Sequence, residues 1–294
     1  GIGAAISPVF VAAMMQQAGP SALFWFAAAM NVLLALFLLL VAVFDIWGRV
    51  TLGSLEPQEN ALRDDAANRV VLVSGATGSV GDGLLKAAVE DPEVEHIHVI
   101  TRRSSPRIEA GVASGKVTMH MLQDFTDYSS LADALEEVNT VLWGLGTSSL
   151  NVDEVTYTRI HVDFPVAFVR AWLAARTAAP MAFHYVTGMG TDPEGDAQWA
   201  RDKGRAEREL AEMADGTGLR TFSYRSAYIR PTTERANPFT YVAEALLRPG
   251  KLVITAKALG QAMLEISART AELPNGTLID NADSIAYADA YHSR

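Results

Sequence analysis

Cysteine is absent from the 294 residues of this chain. The absence excludes disulfide bonds, thiolate metal sites and a cysteine nucleophile, and it is compatible with a reducing compartment. Positive charge is also scarce, because 24 Lys and Arg stand against 34 Asp and Glu and leave a formal net charge of −10. A nucleic-acid surface needs clustered Lys and Arg that neutralise phosphates. We therefore expect no nucleic-acid partner.

Charged side chains are missing altogether from the first 44 residues. Residues 21–44 contain Asn31 as their only strongly polar side chain, and at ~1.5 Å per residue they are long enough to cross a bilayer core of ~30 Å. Residues 2–18 form a second, weaker apolar stretch, and Gly19-Pro20 separates the two. The pattern predicts a transmembrane helical hairpin over residues 1–45. The alternative for the longer stretch is a fully buried core helix.

A polar stretch without periodicity, residues 46–68, comes after the apolar segment and is expected to be a linker. Arg49, Arg63 and Arg69 lie on the C-terminal side of the predicted spans, which favours a cytoplasmic location for the rest of the chain. The expected localisation is thus the membrane, with a soluble domain over residues 69–294 on the cytoplasmic side.

Residues 70–81, Val-Val-Leu-Val-Ser-Gly-Ala-Thr-Gly-Ser-Val-Gly, combine an apolar strand, a glycine turn and the start of a helix. In a dinucleotide-binding βαβ unit, Gly75 would permit a tight turn, Gly78 would let the backbone approach a pyrophosphate, and Gly81 would let helix and strand pack closely. The helix N-terminus would supply N–H groups to the phosphates. The alternative is a glycine turn without a ligand. The candidate phosphate-binding residues are Gly75, Thr77, Gly78, Ser79, Val80 and Gly81.

Apolar strands alternate with amphipathic helices over the next 150 residues. The pattern predicts further strands over 96–100, 117–121, 140–145, 182–187 and 220–224, and helices over 131–138, 152–178 and 199–214. Such alternation is typical of an α/β fold with a doubly wound parallel sheet, a Rossmann domain, and we expect strand order 3-2-1-4-5-6. Residues 230–294 show a less regular pattern and are expected to form the substrate side of the cleft.

The ends of these strands indicate which dinucleotide would bind. Arg102 and Arg103 follow the second strand, where an arginine accommodates a 2′-phosphate and an acidic residue would bind a ribose 2′-hydroxyl. They favour NADP over NAD, the alternative being a solvated basic loop. Asp124, after the third strand, is a candidate acceptor for the adenine amino group. After the fourth strand, the small-residue turn that would approach the cofactor contains Gly144, Leu145 and Gly146.

Several motifs in this order resemble the atypical short-chain dehydrogenases with an extended glycine motif, nearest to the branch around the human Tat-interacting oxidoreductase. The resemblance covers about residues 69–283 and rests on Gly-Ala-Thr-Gly-Ser-Val-Gly (75–81), Thr-Arg-Arg (101–103), Gly-Leu-Gly-Thr (144–147), Tyr-Val-Thr-Gly-Met-Gly-Thr-Asp (185–192), Trp-Ala-Arg-Asp-Lys-Gly-Arg-Ala-Glu (199–207) and Arg-Ser-Ala-Tyr-Ile-Arg-Pro (225–231). The first 44 residues weakly resemble the last two helices of a major facilitator transporter, on the Ser-Pro and Ala-Gly-Pro-Ser-Ala-Leu-Phe-Trp-Phe-Ala-Ala-Ala pattern.

The resemblance implies carbonyl reduction with Ser or Thr, Tyr and Lys, the last two in Tyr-x-x-x-Lys spacing on one helix. The matching positions in this chain are Thr187, Trp199 and Lys203. Threonine can replace serine, and the lysine can still bind ribose hydroxyls. Tryptophan cannot replace tyrosine as an acid, because an indole N–H does not donate its proton near neutral pH. The cofactor-binding half of the motif is therefore expected to be intact and its acid–base half broken.

Three hypotheses for function result from this reading. In the first, the chain transfers hydride between NADP and a small carbonyl or hydroxyl substrate, with water, Tyr185, Tyr228 or Lys203 supplying the proton. In the second, it binds NADP(H) without turnover and reports redox state to a membrane-protein partner. In the third, it is a structural part of a membrane assembly or oligomer. No metal site is expected from the scattered histidines; the closest approach is the pair His96 and His98 on one strand face.

Overall fold

The computed structural model describes Gln16, Gly19, residues 21–51 and residues 55–294. Helix α1 (Ser21–Thr51) contains an apolar window, Phe24–Val43, none of which is buried against the rest of the described chain. The single polar side chain of this window, Asn31, donates from Nδ2 to the carbonyl oxygen of Ala27 at 2.8 Å. By length and composition this one helix can cross a membrane. The first arm of the predicted hairpin lies outside the described residues except for Gln16, and the hairpin stays a prediction.

From Leu55 onward the chain contacts the α/β domain before the first strand begins. The backbone N–H of Leu55 donates to Asp283 Oδ1 at 2.9 Å, and that of Asp64 donates to the carbonyl oxygen of Ala268 at 2.9 Å. A short 3-10 turn, Asp65–Asn68, comes next. The expected boundaries at residues 45 and 68 remain predictions; α1 runs through the first, and from Leu55 the expected linker is attached to the domain.

Seven parallel strands form the sheet in the described part of the chain. They are β1 (Val70–Ser74), β2 (His96–Thr101), β3 (Val117–Met121), β4 (Thr140–Trp143), β5 (Met181–Val186), β6 (Leu219–Arg225) and β9 (Thr277–Asp280). The order is β3-β2-β1-β4-β5-β6-β9, which confirms the predicted doubly wound sheet and adds one strand at its edge. Two further short strands, β7 (Tyr228–Arg230) and β8 (Val253–Thr255), pair with each other.

Helices cover both faces of this sheet. They are α2 (Ser79–Glu90), α3 (Pro106–Ala113), α4 (Ala132–Glu137), α5 (Glu154–Thr158), α6 (Phe164–Ala175), α7 (Gln198–Ala214), α8 (Pro238–Leu247), α9 (Ala256–Ala268) and α10 (Asn281–His292). Side chains alternate along β1, so Val71 and Val73 pack toward α2 and α9 while Leu72 packs toward α6 and α7. Because both faces of β1 are buried, its sequence shows a continuous apolar run.

The predicted long helix over 152–178 is wrong in one respect, because a turn of π-helix, Arg159–Asp163, separates α5 from α6. Pro165 has no N–H to donate to the carbonyl oxygen of His161, four residues earlier. That carbonyl accepts instead from the Tyr185 hydroxyl at 2.6 Å. The proline thus accounts for the wider turn, which lies beside the crevice at the carboxyl edge of the sheet.

The expectation of an irregular C-terminal portion is also wrong, since residues 230–294 contain α8, α9, α10 and β9. Helix α9 is buried over nearly its whole circumference, because α2 packs on one side of it and α10 on another. A helix buried all round has no polar stripe, so its sequence shows no clear amphipathic period. For this reason the hydrophobic pattern of the sequence did not predict helix α9.

Candidate functional site

The strand order reverses between β1 and β4, and the loops after these strands form a crevice at the carboxyl edge of the sheet. Gly75 adopts φ +70°, and a Cβ added there would lie 2.5 Å from the Gly144 carbonyl carbon. The two loops therefore approach more closely than any side chain allows. In open α/β sheets ligands bind at such a switch point.

Helix α2 begins at this crevice. Its N-cap is Gly78, which has no side chain to cap the first turn, so the N–H groups of that turn are left to solvent or to a ligand. A Cβ added at Gly81 would overlap the Gly75 carbonyl group and lie 2.8 Å from Ala76 N, whereas one added at Gly78 would meet only Gly75 O, at 3.2 Å. Gly81 thus lets the helix pack on the turn, and Gly78 leaves room above it.

Two arginines and two threonines line the cleft next to β2. This cleft, of about 380 Å³, is lined by Gly75, Thr77, Ile100, Thr101, Arg102, Arg103, Phe125 and Leu145. Arg103 Nε lies 3.5 Å from Thr77 Oγ1, and its backbone N–H donates to Thr101 Oγ1 at 3.2 Å. The side chain of Arg102 is exposed. Both arginines thus line the cleft at the end of β2, and their role toward a 2′-phosphate stays a prediction.

Asp124 lies in an adjoining cleft of about 650 Å³, together with Arg102 and Phe125. Its Oδ1 accepts from the Thr126 hydroxyl at 2.7 Å and from the Thr126 backbone N–H at 2.9 Å. These hydrogen bonds lower the pKa of Asp124 and hold the carboxylate ionised. An ionised carboxylate can accept from an amino group, and the contact of Asp124 with adenine stays a prediction.

The third cleft, of about 260 Å³, extends from α2 to α7. Its lining residues are Gly78, Ser79, Val80, Gly144, Leu145, Gly146, Thr147, Ser148, His161, Val186 and Lys203. The ammonium group of Lys203 donates to the carbonyl oxygen of Thr187 at the end of β5. Burial lowers the pKa of Lys203 to about 8, and Glu207 opposes this shift in part. A lysine with such a pKa exchanges its proton near neutral pH.

Thr187 and Trp199 are not among the residues that line this cleft. The hydroxyl of Thr187 is buried and donates to the Tyr224 carbonyl oxygen at 3.2 Å. The indole of Trp199 faces Gly190, where an added Cβ would lie 3.4 Å from Cη2 of the ring. Tyr185, one of the candidate proton donors, is fully buried with its hydroxyl donating to the His161 carbonyl oxygen. It does not reach the cleft.

His161 is a lining residue that the sequence pattern did not assign to the site. Its Nε2 lies 3.0 Å from the carbonyl oxygen of Thr147, and a Cβ on Gly146 would lie 2.9 Å from its Cε1. Burial, followed by the charge of Lys203, lowers the pKa of His161 to about 4, so the imidazole is neutral at physiological pH. In the sequence, Pro165 could have indicated that His161 faces the site, because the proline accounts for the wider helical turn that carries His161.

Most of the predicted binding residues thus lie along the carboxyl edge of the sheet, with Arg102 and Arg103 at one end and Lys203 at the other. The glycine turn fits a diphosphate, because Gly75 and Gly81 bring backbone together and Gly78 leaves a space beside free N–H groups. Within the described residues, no group of three or more His, Asp and Glu side chains could hold a metal ion.

Comparison with solved structures shows the Rossmann-like fold of the short-chain dehydrogenases and reductases. A 3-oxoacyl-[acyl-carrier protein] reductase from Brucella melitensis superposes with a TM-score of 0.54 at 17% identity, covering 74% of this chain and 98% of that one. The RhlG/NADP active-site complex of Pseudomonas aeruginosa gives a TM-score of 0.54 at 14% identity, covering 74% and 96%. At these identities the likeness shows the fold alone.

Sequence relatives match only part of this chain, and no family model matches it. The hybrid PKS-NRPS synthetase gkaA of Penicillium citrinum is 36% identical over 70 residues, 24% of this chain and 2% of that protein. The leucinostatins biosynthesis cluster protein T of Purpureocillium lilacinum is 26% identical over 144 residues, 49% of this chain and 51% of that one. The mitochondrial protein fmp52 of Emericella nidulans is 26% identical over 177 residues, 59% of this chain and 72% of that one.

Proposed function

We propose that this chain is a membrane-anchored, NADP-dependent oxidoreductase of the short-chain dehydrogenase type that acts on a small carbonyl or hydroxyl compound. The observation that carries the proposal is the row of three adjoining clefts at the β1–β4 switch point, which share Leu145 as a lining residue, with the glycine turn beside them and Lys203 at one end. The Rossmann-like fold and the motif resemblance to the atypical, Tat-interacting-protein-like branch support it.

Different residues along the crevice would bind different parts of the dinucleotide. The N–H groups at Ser79 and Val80 would receive the diphosphate, and Arg102 and Arg103 would pair with a 2′-phosphate, which favours NADP over NAD. When bound, the nicotinamide supplies or accepts the hydride. Lys203 would hold the adjacent ribose hydroxyls.

We assign the proton to Lys203, because among the candidate side chains it lines the cleft, whereas Tyr185 and Tyr228 do not and Trp199 has no acidic group. With a pKa of about 8, the Lys203 ammonium carries a proton at pH 7 and loses it as the pH rises through 8. Reduction needs a proton donor, so its rate should fall above that pH. Thr187 and Lys203 are coupled through the hydrogen bond to the Thr187 carbonyl oxygen, which fixes the lysine beside the end of β5.

The second candidate is an NADP(H)-binding sensor or scaffold without turnover, within a membrane complex. The position of Trp199 favours it, since the indole packs on Gly190 where the resemblance expects a catalytic tyrosine. In this case the crevice binds the dinucleotide, and a membrane-protein partner or a second copy of the chain interacts differently with the bound and the free form.

Membrane anchoring is supported by the exposed apolar helix α1, and by the weak resemblance of the first 44 residues to transporter helices. Positive residues after the apolar window, Arg49, Arg63 and Arg69, favour a cytoplasmic domain. Sedimentation with membranes after detergent-free lysis would test the anchor.

Turnover separates the two candidates. The purified full chain in detergent is mixed with NADPH and a panel of aldehydes, ketones and quinones. The oxidoreductase predicts NADPH consumption with at least one compound, an apparent pKa near 8, and a flattened pH profile in Lys203→Arg, because an arginine does not lose its proton in this range. Trp199→Tyr should raise the rate by ~10²-fold or more through restored general acid catalysis. Binding of NADPH without consumption, in both the native chain and Trp199→Tyr, would support the sensor instead.

A further inference from the structure

Helix α8 exposes apolar side chains and buries a charged one, which is the reverse of an ordinary surface helix. Phe239, Val242 and Leu246 are 83%, 58% and 48% exposed, and their spacing places them on one face. Among the residues of this helix, the buried one is Glu244. Its carboxylate pairs with Arg230 Nε at 2.6 Å and with the guanidinium of Arg248. The buried carboxylate is thus paired with two guanidinium groups, and the apolar face is exposed in the part of the chain that the structure describes.

The segment that contains this apolar face is basic in an otherwise acidic protein, and of its basic side chains Arg235 and Lys257 pair with Asp82 and Glu90 outside the segment. Residues 230–257 contain five basic side chains and two acidic ones, against a net charge of −10 for the whole chain. Arg248 is 73% exposed and Lys251 is exposed beside it, after the helix ends. The two acidic groups are already engaged, Glu244 as described and Glu234 with Lys86 at 3.0 Å. An apolar face with a basic border complements an anionic lipid surface.

Leu55, where the chain that follows α1 first contacts the domain, lies near the C-terminal end of α8. Leu55 donates to Asp283 on the first turn of α10, and Asn281 of that turn donates from Nδ2 to the carbonyl oxygen of Lys251 at 2.6 Å. The next residue, Leu252, donates its N–H to the carbonyl oxygen of Leu247, the last residue of α8. Leu55 and the end of α8 are therefore linked through three successive hydrogen bonds.

The tether between the apolar window and Leu55 is short. Helix α1 continues eight residues past Val43 to Thr51, about 12 Å at 1.5 Å per residue. The four peptide steps from Thr51 to Leu55 span at most about 14 Å. A domain of this size has a radius of gyration of about 18 Å, so a domain held by such a tether stays at the bilayer surface.

We infer that helix α8 is an interfacial element that inserts Phe239, Val242 and Leu246 into an anionic membrane surface, with Arg248 and Lys251 on the lipid headgroups. This inference rests on the membrane anchoring proposed above. It makes α1 and α8 two attachments of one domain, which fixes the orientation of the domain over the bilayer as well as its distance.

The absence of cysteine allows single labels to test each attachment separately in the full chain. Val242→Cys, Val112→Cys and Leu36→Cys are each labelled with an environment-sensitive fluorophore in vesicles containing about one-third anionic lipid. Val112 is a matched control, an exposed valine on α3. Leu36 lies in the middle of the apolar window. Quenching by lipid-bound nitroxides reports depth.

We expect lipid quenching at 242 and 36 but not at 112. We also expect that Phe239→Asp, or replacement of the anionic lipid by neutral lipid, reduces the quenching at 242 several-fold and leaves that at 36 unchanged. Quenching at 36 with a water-exposed label at 242 would overturn the inference while preserving the anchor. A label at 242 shielded from water but not quenched by lipid would overturn it in favour of a second copy. No quenching at 36 would refute the anchor itself, and the inference with it.

Discussion

Two alanine substitutions in the glycine turn should separate packing from ligand binding. A Cβ at Gly81 would overlap the Gly75 carbonyl group, and all atoms it meets belong to the backbone. Because carbon atoms need about 3.5 Å between them, the helix would have to move away from the turn by roughly 1 Å. We expect Gly81→Ala to lower the free energy of unfolding by about 3 kcal/mol. That corresponds to about 6–12 °C in melting temperature for a domain of this size.

At Gly78 the expectation is different. Its φ of −89° and ψ of 172° suit alanine, and an added Cβ would meet only Gly75 O at 3.2 Å. The stability should therefore change by less than about 1 kcal/mol. The added methyl would project into the space where a phosphate is expected, so NADPH should bind at least ~10-fold more weakly, or about 1.4 kcal/mol.

Differential scanning calorimetry and an NADPH titration on the full chain measure both quantities. The native chain serves as the reference for both quantities. If Gly78→Ala melts and binds NADPH like the native chain, no phosphate approaches this glycine and the proposed binding mode is wrong.

Three further predictions concern charge. Replacing both Arg102 and Arg103 by alanine should remove most of a preference for NADPH over NADH, at least ~10-fold, in parallel titrations; an unchanged preference would contradict their assignment. Burial, then the nearby His120 and His96, lowers the pKa of His98 to about 4. Since the unfolded histidine takes up its proton near pH 6.5 and the folded one only near pH 4, stability should fall by up to ~3 kcal/mol as the pH drops between these values, and less in His98→Gln. Asp82→Asn should cost about 3 kcal/mol in urea unfolding, because Arg107 and Arg235 lose a buried carboxylate partner.

The sheet was predictable because its signal is local. Each central strand is a short apolar run bounded by turn residues, and β1 is followed by glycines whose conformations the structure requires, such as the positive φ of Gly75. The strand order followed from the handedness of βαβ units. The edge strand β9 was not predicted, since its four residues, Thr277–Asp280, include one buried side chain and no alternation.

The candidate site was predictable where the backbone determines it and less so where tertiary contacts do. The turns containing Gly75, Gly78 and Gly144 lie together because parallel strands end at the same edge. The inward rotation of His161 depends on Tyr185, a residue of a distant strand whose hydroxyl donates to the His161 carbonyl oxygen. No local pattern encodes that contact. The turn of Trp199 toward Gly190 likewise depends on a loop whose path only the fold determines.

The central claim is that a pyridine dinucleotide binds across the carboxyl ends of β1 and β4. Titration of the purified full chain with NADPH, followed through the nicotinamide fluorescence and by calorimetry, tests it most directly. We predict saturable one-to-one binding that NADP⁺ reverses and that Gly78→Ala weakens. The absence of both a fluorescence change and heat, with NADPH and with NADH, from a chain that melts cooperatively would contradict it.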